Sequence, residues 1–275
     1  MFASRKMHLA GRTAVVTGAA SGIGRAVAVA LARRGCHLAL VDLDRNGLDE
    51  TAALVRPHGV RASLHVLDVT DRATVAALPE AVQAEHPSVD VLVNNAGVAV
   101  GGLFEQVSEA DFEWLFEVNF WGVVRMTRAF LPLLKASDDA RLVNVSSIFG
   151  IIAPPEQVPY VASKFAVRGF SMALAHELEG TSVGVSVVHP GGVATNIADR
   201  ARVPDGVSAD EVEQRRRAMK RLLTMPPEVA GETIVQGIER RRARILVGRD
   251  AKAAAALERL APVRYWRLLR RAAGR

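Results

Sequence analysis

The chain reads as an α/β protein, a doubly wound parallel sheet of about seven strands with helices on both faces, folded as one domain. Three observations lead there. Short apolar runs alternate with longer segments of helical period up to about residue 200. The runs are apolar throughout rather than at every second residue, as strands are when helices cover both faces of a sheet. No repeat or linker-like stretch interrupts the series, so its 275 residues need not be divided.

Taken in order, "TAVVTG" (13–18) is the first strand, and a helical pattern runs from Ile23 to Arg34. "HLALVD" (37–42), a helix around 45–56, "ASLHVLD" (62–68) and a helix around 72–85 follow. Then come "VDVLVNN" (89–95), a long helix around 108–135, "ARLVNVSS" (140–147), a helix around 157–180 and "GVSVVHPGG" (184–192). A Pro-Pro pair starts a helix over 226–242, and "ARILVG" (243–248) is the last strand. Strand–helix alternation of this regularity means βαβ units.

Composition is that of an ordinary globular protein, 49% hydrophobic and 23% charged, and no apolar stretch approaches the 18 residues of a membrane span. The first 16 residues hold too short an apolar stretch for a secretory signal. A lone Cys36, set in an apolar run, forbids an internal disulfide and reads as a buried thiol. The cytoplasm is the expected compartment. The seven histidines are scattered, with no HxxxH and no cysteine partner, so no metal is expected. His189, before Pro190, reads as a structural histidine.

The first strand runs directly into "TGAASGIG" (17–24). Glycines there let the backbone turn sharply and approach a pyrophosphate at a helix N-terminus, where free N–H groups and the dipole favour anions. The spacing is Gly18-xxx-Gly22-x-Gly24 rather than the better-known GxGxxG. Asp42 ends the second strand, where a carboxylate accepts from a ribose 2′-OH and repels a 2′-phosphate. That favours NAD over NADP, with Arg25 and Arg45 nearby to soften the preference; a turn or helix-capping carboxylate is the alternative.

From these motifs onward the chain resembles the short-chain dehydrogenase/reductase family over roughly residues 8–200. "TGAASGIG" matches the family's TGxxxGxG loop, Asp68-Val69 the pair set against the adenine, and "NNAG" (94–97) the end of the fourth strand. "VNFWG" (118–122) places Asn119 at the catalytic-asparagine position, and "NVSSIFG" (144–150) aligns Ser147 with the catalytic serine. "YVASK" (160–164) is YxxxK, 13 residues after Ser147, and "PGGVAT" (190–195) matches PGxxxT. The resemblance implies a Rossmann-like fold, an NAD or NADP cofactor and interconversion of an alcohol with its ketone or aldehyde. Implied cofactor residues are Gly18, Ser21, Gly22, Ile23, Gly24, Asp42, Asp68, Val69, Asn95, Ala96, Gly97, Tyr160, Lys164, Pro190, Gly191, Val193 and Thr195. The implied catalytic set is Asn119, Ser147, Tyr160 and Lys164: Tyr160 as acid or base, Ser147 steadying the substrate oxygen, Asn119 holding a water in a relay with Lys164. A homodimer or homotetramer is implied as well, commonly built on the helices that carry Asn119 and Tyr160.

The chemistry agrees with those roles. Positions i and i+4 share a helix face, so Tyr160 and Lys164 point at one ligand. A free tyrosine has a pKa near 10, and a neighbouring ammonium is expected to lower it. The chain has 30 Arg and only 5 Lys, and a compact ammonium suits this position where a forked guanidinium does not. A cofactor-binding sensor or scaffold without turnover is the rival reading, as is an NADP-dependent carbonyl reductase.

Segments 98–104, 148–158 and 196–225 carry Phe104, Phe149, Ile152, Ile197 and Leu222, which suit a sterol-like, retinoid-like or long-chain alcohol or ketone, or else pack a lid. Charge divides unevenly. Residues 1–199 hold 16 Lys+Arg against 20 Asp+Glu, and residues 200–275 hold 19 against 9. The chain thus divides into a domain over 1–249 (cofactor half about 8–147, catalytic and substrate part about 148–249) and a basic amphipathic helical extension over 250–275. Around a helix from Val263 onward, Arg264, Arg267, Arg270 and Arg271 share one arc, and Tyr265, Trp266, Leu268, Leu269, Ala272 and Ala273 the other. Packing of the apolar arc on the domain or a partner subunit is the expectation, and contact of 262–275 with an anionic membrane the alternative. No nucleic-acid motif accompanies the charge, so no nucleic-acid partner is expected.

Overall fold

The computed structural model describes residues 6–204 and 206–272. The chain runs β1 (Thr13–Thr17), α1 (Gly22–Ala32), β2 (His37–Asp42), α2 (Arg45–Val55), β3 (Ala62–Val66), α3 (Arg72–Glu85), β4 (Val91–Asn94), α4 (Glu109–Phe116) and α5 (Gly122–Ala136). It continues through β5 (Ala140–Val145), α6 (Val158–Glu177), β6 (Val183–Pro190), α7 (Ala209–Leu222), α8 (Pro227–Glu239), β7 (Arg244–Val247), α9 (Arg249–Leu260) and α10 (Tyr265–Ala272). The strands form one sheet in the order β3-β2-β1-β4-β5-β6-β7, every pair parallel. The fold is Rossmann-like. Winding goes outward from β1 through β2 to β3, then resumes on the other side of β1 at β4. That reversal leaves a crevice beyond the carboxyl ends of β1 and β4, where such sheets bind ligands.

The strand runs are apolar throughout because side chains alternate between two covered faces. Ala14 and Val16 of β1 pack with Leu31, Ile234 and Ile238 from α1 and α8, while Val15 faces the opposite way, toward Val82, Phe130 and Leu134 from α3 and α5. Leu31, Leu134 and Phe130 are fully enclosed, each worth about 1.5–3 kcal/mol of apolar burial. One polar chain crosses the second layer. Asn94 Nδ2 donates to Thr127 Oγ1 at 3.1 Å and to Asn144 Oδ1 at 2.9 Å, and Asn144 Nδ2 donates to Ser171 Oγ at 3.0 Å. Since these groups are buried, any rotation of α6 would orphan them, so the network fixes which face of α6 meets the crevice.

Two helices depart from the sequence reading. α7 falls in the segment read only as cleft wall. Its sequence, "ADEVEQRRRAMKRL", has no apolar stripe, and the helix holds itself instead. Ser208 Oγ accepts from Glu211 N, and Glu211–Arg215 and Glu213–Arg217 pair one turn apart. The region read as one extension over 250–275 is two helices, α9 and α10, parted around Pro262, and α9 buries Ala251, Ala254 and Ala255. Ala273 and the two residues after it lie outside the described residues. The long helix expected over 108–135 is continuous, but a π-helical turn at 117–121 joins α4 to α5 and carries Asn119. Among the described residues no helix is long and apolar enough to cross a membrane.

Candidate functional site

The glycine loop is shaped by contacts that exclude side chains. Gly18 (φ +66°) and Gly22 (φ +52°) take backbone angles that L-residues rarely adopt. A Cβ on Gly24 would lie 2.0 Å from the Gly18 carbonyl oxygen, so α1 begins folded back on the loop. Ser21 stands at the N-cap but makes no side-chain capping bond, and no acidic residue occupies the first turn. The N–H groups of Gly22, Ile23 and Gly24 therefore face the crevice without a competing carboxylate, as an incoming phosphate requires. These residues fit a dinucleotide. Asp42 faces the same loop, where its carboxylate accepts from Ala20 N at 2.9 Å and Asp44 N at 3.1 Å. The guanidinium of Arg25 is already engaged, on Ala20 O, Thr51 Oγ1 and Glu50. Arg45 pairs with Asp49 on the surface.

The far side of the crevice is assembled from β3 and β4. Asp68 caps its own turn by accepting from Thr70 N at 2.8 Å, and Val69 packs on Gly122 at the start of α5. Asn95 donates through Nδ2 to Thr17 O at 3.0 Å and Gly18 O at 3.3 Å, fastening the end of β4 to the glycine loop. Thr17 completes the joint, its Oγ1 accepting from Asn95 N and Ala96 N. Thr17 lies in the quoted motif but its joining role is a tertiary contact that spacing does not reveal.

Asn119, Lys164 and Gly97 meet at the end of β4. A Cβ on Gly97 would sit 3.2 Å from Asn119 Oδ1 and 3.4 Å from Lys164 Nζ. Asn119 is fully buried, with Oδ1 accepting from Val98 N (2.8 Å) and Nδ2 donating to Val98 O (2.9 Å) and Ser163 Oγ (3.2 Å). The side-chain amide is therefore fully engaged in holding the 97–98 turn. Lys164 is buried, donates to Val145 O at 3.1 Å, and lies 5.6 Å from the centre of the Tyr160 ring. Burial lowers its pKa to about 8. Tyr160 is half-buried, with the Ser147 side chain close enough to favour its ionised form. Burial raises the Tyr160 pKa, and the nearby Ser147 side chain only partly offsets the rise.

Ser147, two residues past β5, opens a short 3₁₀ turn over Ile148–Gly150, its Oγ accepting from Phe149 N at 3.1 Å. The Ser147 carbonyl accepts from His189 Nδ1 at 2.9 Å, and burial lowers the His189 pKa to about 4. His189 is thus a neutral strut beneath the site. Pro190 ends β6, and Gly191 and Gly192 turn against Asp250, whose carboxylate accepts from Gly192 N at 2.6 Å. No sequence signal marks Asp250, which comes from 58 residues away. Val193 is buried and bridges Met225, and Thr195 Cγ2 reaches the glycine loop, 3.0 Å from where a Gly22 Cβ would be. The 190–195 segment therefore closes over the cofactor loop.

The expected apolar wall is only partly assembled. Phe149 stands edge-on to Tyr160, ring centres 6.2 Å apart. Ile197 is half-buried, whereas Phe104 and Leu222 turn outward at 67% and 66% exposure, and Ile152 belongs to a small core with α9 and α10. The mouth is fastened by Arg202, which the sequence reading missed. Its guanidinium stacks on Trp114 (3.5 Å to the ring centre) and pairs with Asp111 at 2.9 Å. Its backbone bonds Ala99 O and Gly101 N. Cys36 is fully buried, and its thiol is pushed up to about 12 by that burial. It takes no part in the site.

Residues 12–205 match the family model described as short chain dehydrogenase. The Mycobacterium tuberculosis protein SadH, which carries an oxidoreductase name, is 44% identical over 261 residues, 94% of each chain. A short chain dehydrogenase/reductase from Burkholderia phymatum, solved in complex with NAD, is 32% identical with a TM-score of 0.86, over 93% of this chain and 95% of that one. A metagenomic short-chain oxidoreductase in complex with NADP is 28% identical with a TM-score of 0.71, over 88% and 98%.

Proposed function

The chain belongs to the short-chain dehydrogenase/reductase family, a family of oxidoreductases using a nicotinamide dinucleotide, and within it we propose an NAD-preferring enzyme that interconverts an apolar alcohol and its carbonyl compound. The observation that carries this reading is the meeting of Asn119 and Lys164 at Gly97, with the Tyr160 ring over Lys164 and Ser147 beside it, near a glycine loop shaped for a pyrophosphate. A sensor or scaffold has no use for a buried lysine behind a tyrosine set beside a serine.

When bound, the dinucleotide supplies the centre that takes or gives the hydride. The residues that would hold it are Gly18, Ser21, Gly22, Ile23 and Gly24 at the phosphates, Asp42 at the adenosine ribose, and Asp68 and Val69 at the adenine. Asn95, Ala96, Gly97, Pro190, Gly191, Val193 and Thr195 would line its nicotinamide half, with Lys164 on the second ribose. In alcohol oxidation the ionised Tyr160 oxygen would accept the substrate proton, and Ser147 Oγ would donate a hydrogen bond to the substrate oxygen as its charge changes. Tyr160 needs positive charge beside it to ionise near neutral pH, because burial holds its pKa above the free value. Lys164 supplies that charge below about pH 8, the value to which its own pKa has fallen. Asn119 holds the 97–98 turn with its side chain, so the relay expected of it falls to the main chain of the π turn.

Preference for NAD rests on Asp42 together with Arg25. The carboxylate stands where a 2′-phosphate would be repelled, and the nearest guanidinium is tied to Glu50 and Thr51. For the substrate, Phe149 beside Tyr160 favours an apolar body, the extreme being the sterol-like or long-chain compounds suggested by composition. Family membership also favours a homodimer or homotetramer. Nicotinamide fluorescence titration with NADH and NADPH tests the cofactor. NADH binding at least about tenfold tighter, a margin lost in Asp42→Ala, is the expected result. Tighter binding of NADPH, or binding of neither, would overturn it.

A further inference from the structure

The basic C-terminal helix is docked beside the site, on its outer wall. Tyr265 and Leu269, one turn apart on α10, pack against a small core of Ile151 and Ile152 with Ala254 and Ala255 of α9, and Ile148 and Phe149 pack against the same core. Tyr265 Oη accepts a hydrogen bond from Ala153 N at 2.9 Å. The next residue, Trp266, closes a groove of about 470 Å³ whose other walls include Pro154, Pro155 and the Val158–Phe165 face of α6. Residues 151–157 have no helix or strand of their own, and two of them are prolines that cannot donate. Their anchorage is therefore tertiary.

The wall that α10 supports is continuous with the chemistry. Ile148–Gly150 is the 3₁₀ turn that Ser147 opens, Arg168 holds its last carbonyl at 3.1 Å, and Phe149 projects from it onto the Tyr160 ring. The path runs from Leu269 and Tyr265, through the 148–153 turn, to the Phe149 ring against Tyr160. We propose that Tyr265 and Leu269 are positioning residues for the substrate wall, so that the C-terminal helix sets the enzyme's selectivity for long apolar substrates. The arginines on its opposite face keep α10 solvated while the apolar face is docked. The proposal rests on the oxidoreductase reading above and adds to it an element outside the residues matched by the family model.

The test uses the full chain with NAD and a series of secondary alcohols from 2-butanol to 2-dodecanol. Tyr265→Phe removes one hydrogen bond, Leu269→Ala removes the packing, Leu269→Met restores most of it, and Arg267→Ala is an exposed control. In Leu269→Ala the KM for 2-dodecanol is expected to rise about tenfold with kcat nearly constant. NADH affinity and the KM for 2-butanol are expected to stay within about twofold. Tyr265→Phe shifts the same parameter less, Leu269→Met recovers it, and Arg267→Ala changes nothing. An unaltered KM for 2-dodecanol would overturn the proposal. So would an equal loss on both alcohols and on NADH, which would mark general damage to the fold. A wild-type protein that reduces NAD with no alcohol in the series would defeat the oxidoreductase reading itself, and this proposal with it.

Discussion

Gly24 shows how much of the site a single residue decides. Its α-hydrogen faces the Gly18 carbonyl, and a methyl there would have to occupy space 2.0 Å from that oxygen and 2.6 Å from Asn95 Nδ2. Relief requires α1 to move away from the loop, which removes the phosphate N–H groups from their common focus. Gly24→Ala is therefore expected to weaken NADH binding by at least about 100-fold while the sheet survives, measured by titration alongside circular dichroism. Near-normal affinity would show that the loop does not cradle the phosphates. The residues of this kind were legible in the sequence because their spacing is local: Gly18, Gly22 and Gly24 within one turn, Tyr160 and Lys164 one helical turn apart. The joining roles of Thr17 and Asp250 were not, because each acts by bonding main-chain groups brought close only by the fold. The burial that raises the Tyr160 pKa was hidden for the same reason. Spacing gave the neighbouring ammonium but not the burial that turns it toward Val145 O.

At the scale of elements, strands and amphipathic helices were recoverable because burial on two faces imprints continuous apolar runs and helical stripes. α7 was not, since it is a self-supporting charged helix with no stripe to read, although "SADE" at its start is a capping signal. α7 lies over the cleft mouth with none of its described residues buried, so its position depends on a few ties. Arg215 approaches Glu156 at 3.7 Å, Thr224 and Met225 bond Gly192 O, and Arg202 fastens the segment before it to Trp114, Asp111 and Ala99. A stacked, ion-paired guanidinium of this sort is worth about 1–2 kcal/mol. Arg202→Gln is expected to speed chymotryptic cleavage within 196–225 about tenfold at unchanged melting temperature. Cleavage at the wild-type rate would show that Arg202 does not hold the segment.

For the whole molecule, stability should depend on two buried histidines at opposite ends of the sheet. His86 bonds Ser63 Oγ at 2.9 Å and His189 bonds the Ser147 carbonyl, and burial lowers both pKa values to about 4. Their unfolded value is near 6.5, so above that pH both states are neutral and the full stability is present. As pH falls below 6.5 the unfolded chain takes up protons first, and stability declines until about pH 4. By pH 5 the loss is about 2 kcal/mol per histidine. Urea midpoints at pH 7 and pH 5 should differ accordingly, with His86→Gln or His189→Asn each removing part of the difference. Equal midpoints would show that neither ring is neutral in the fold.

The central claim is that this fold exists to hold a tyrosine against an alcohol at the end of a dinucleotide crevice. Single-turnover reduction of NAD at 340 nm with a secondary alcohol, in wild type and Tyr160→Phe, tests it most directly. A fall of about 10³-fold or more in the rate of the variant is expected, with NADH affinity unchanged within about twofold. A variant within about tenfold of the wild-type rate would contradict it, because the proton would then be leaving by a route that does not use Tyr160.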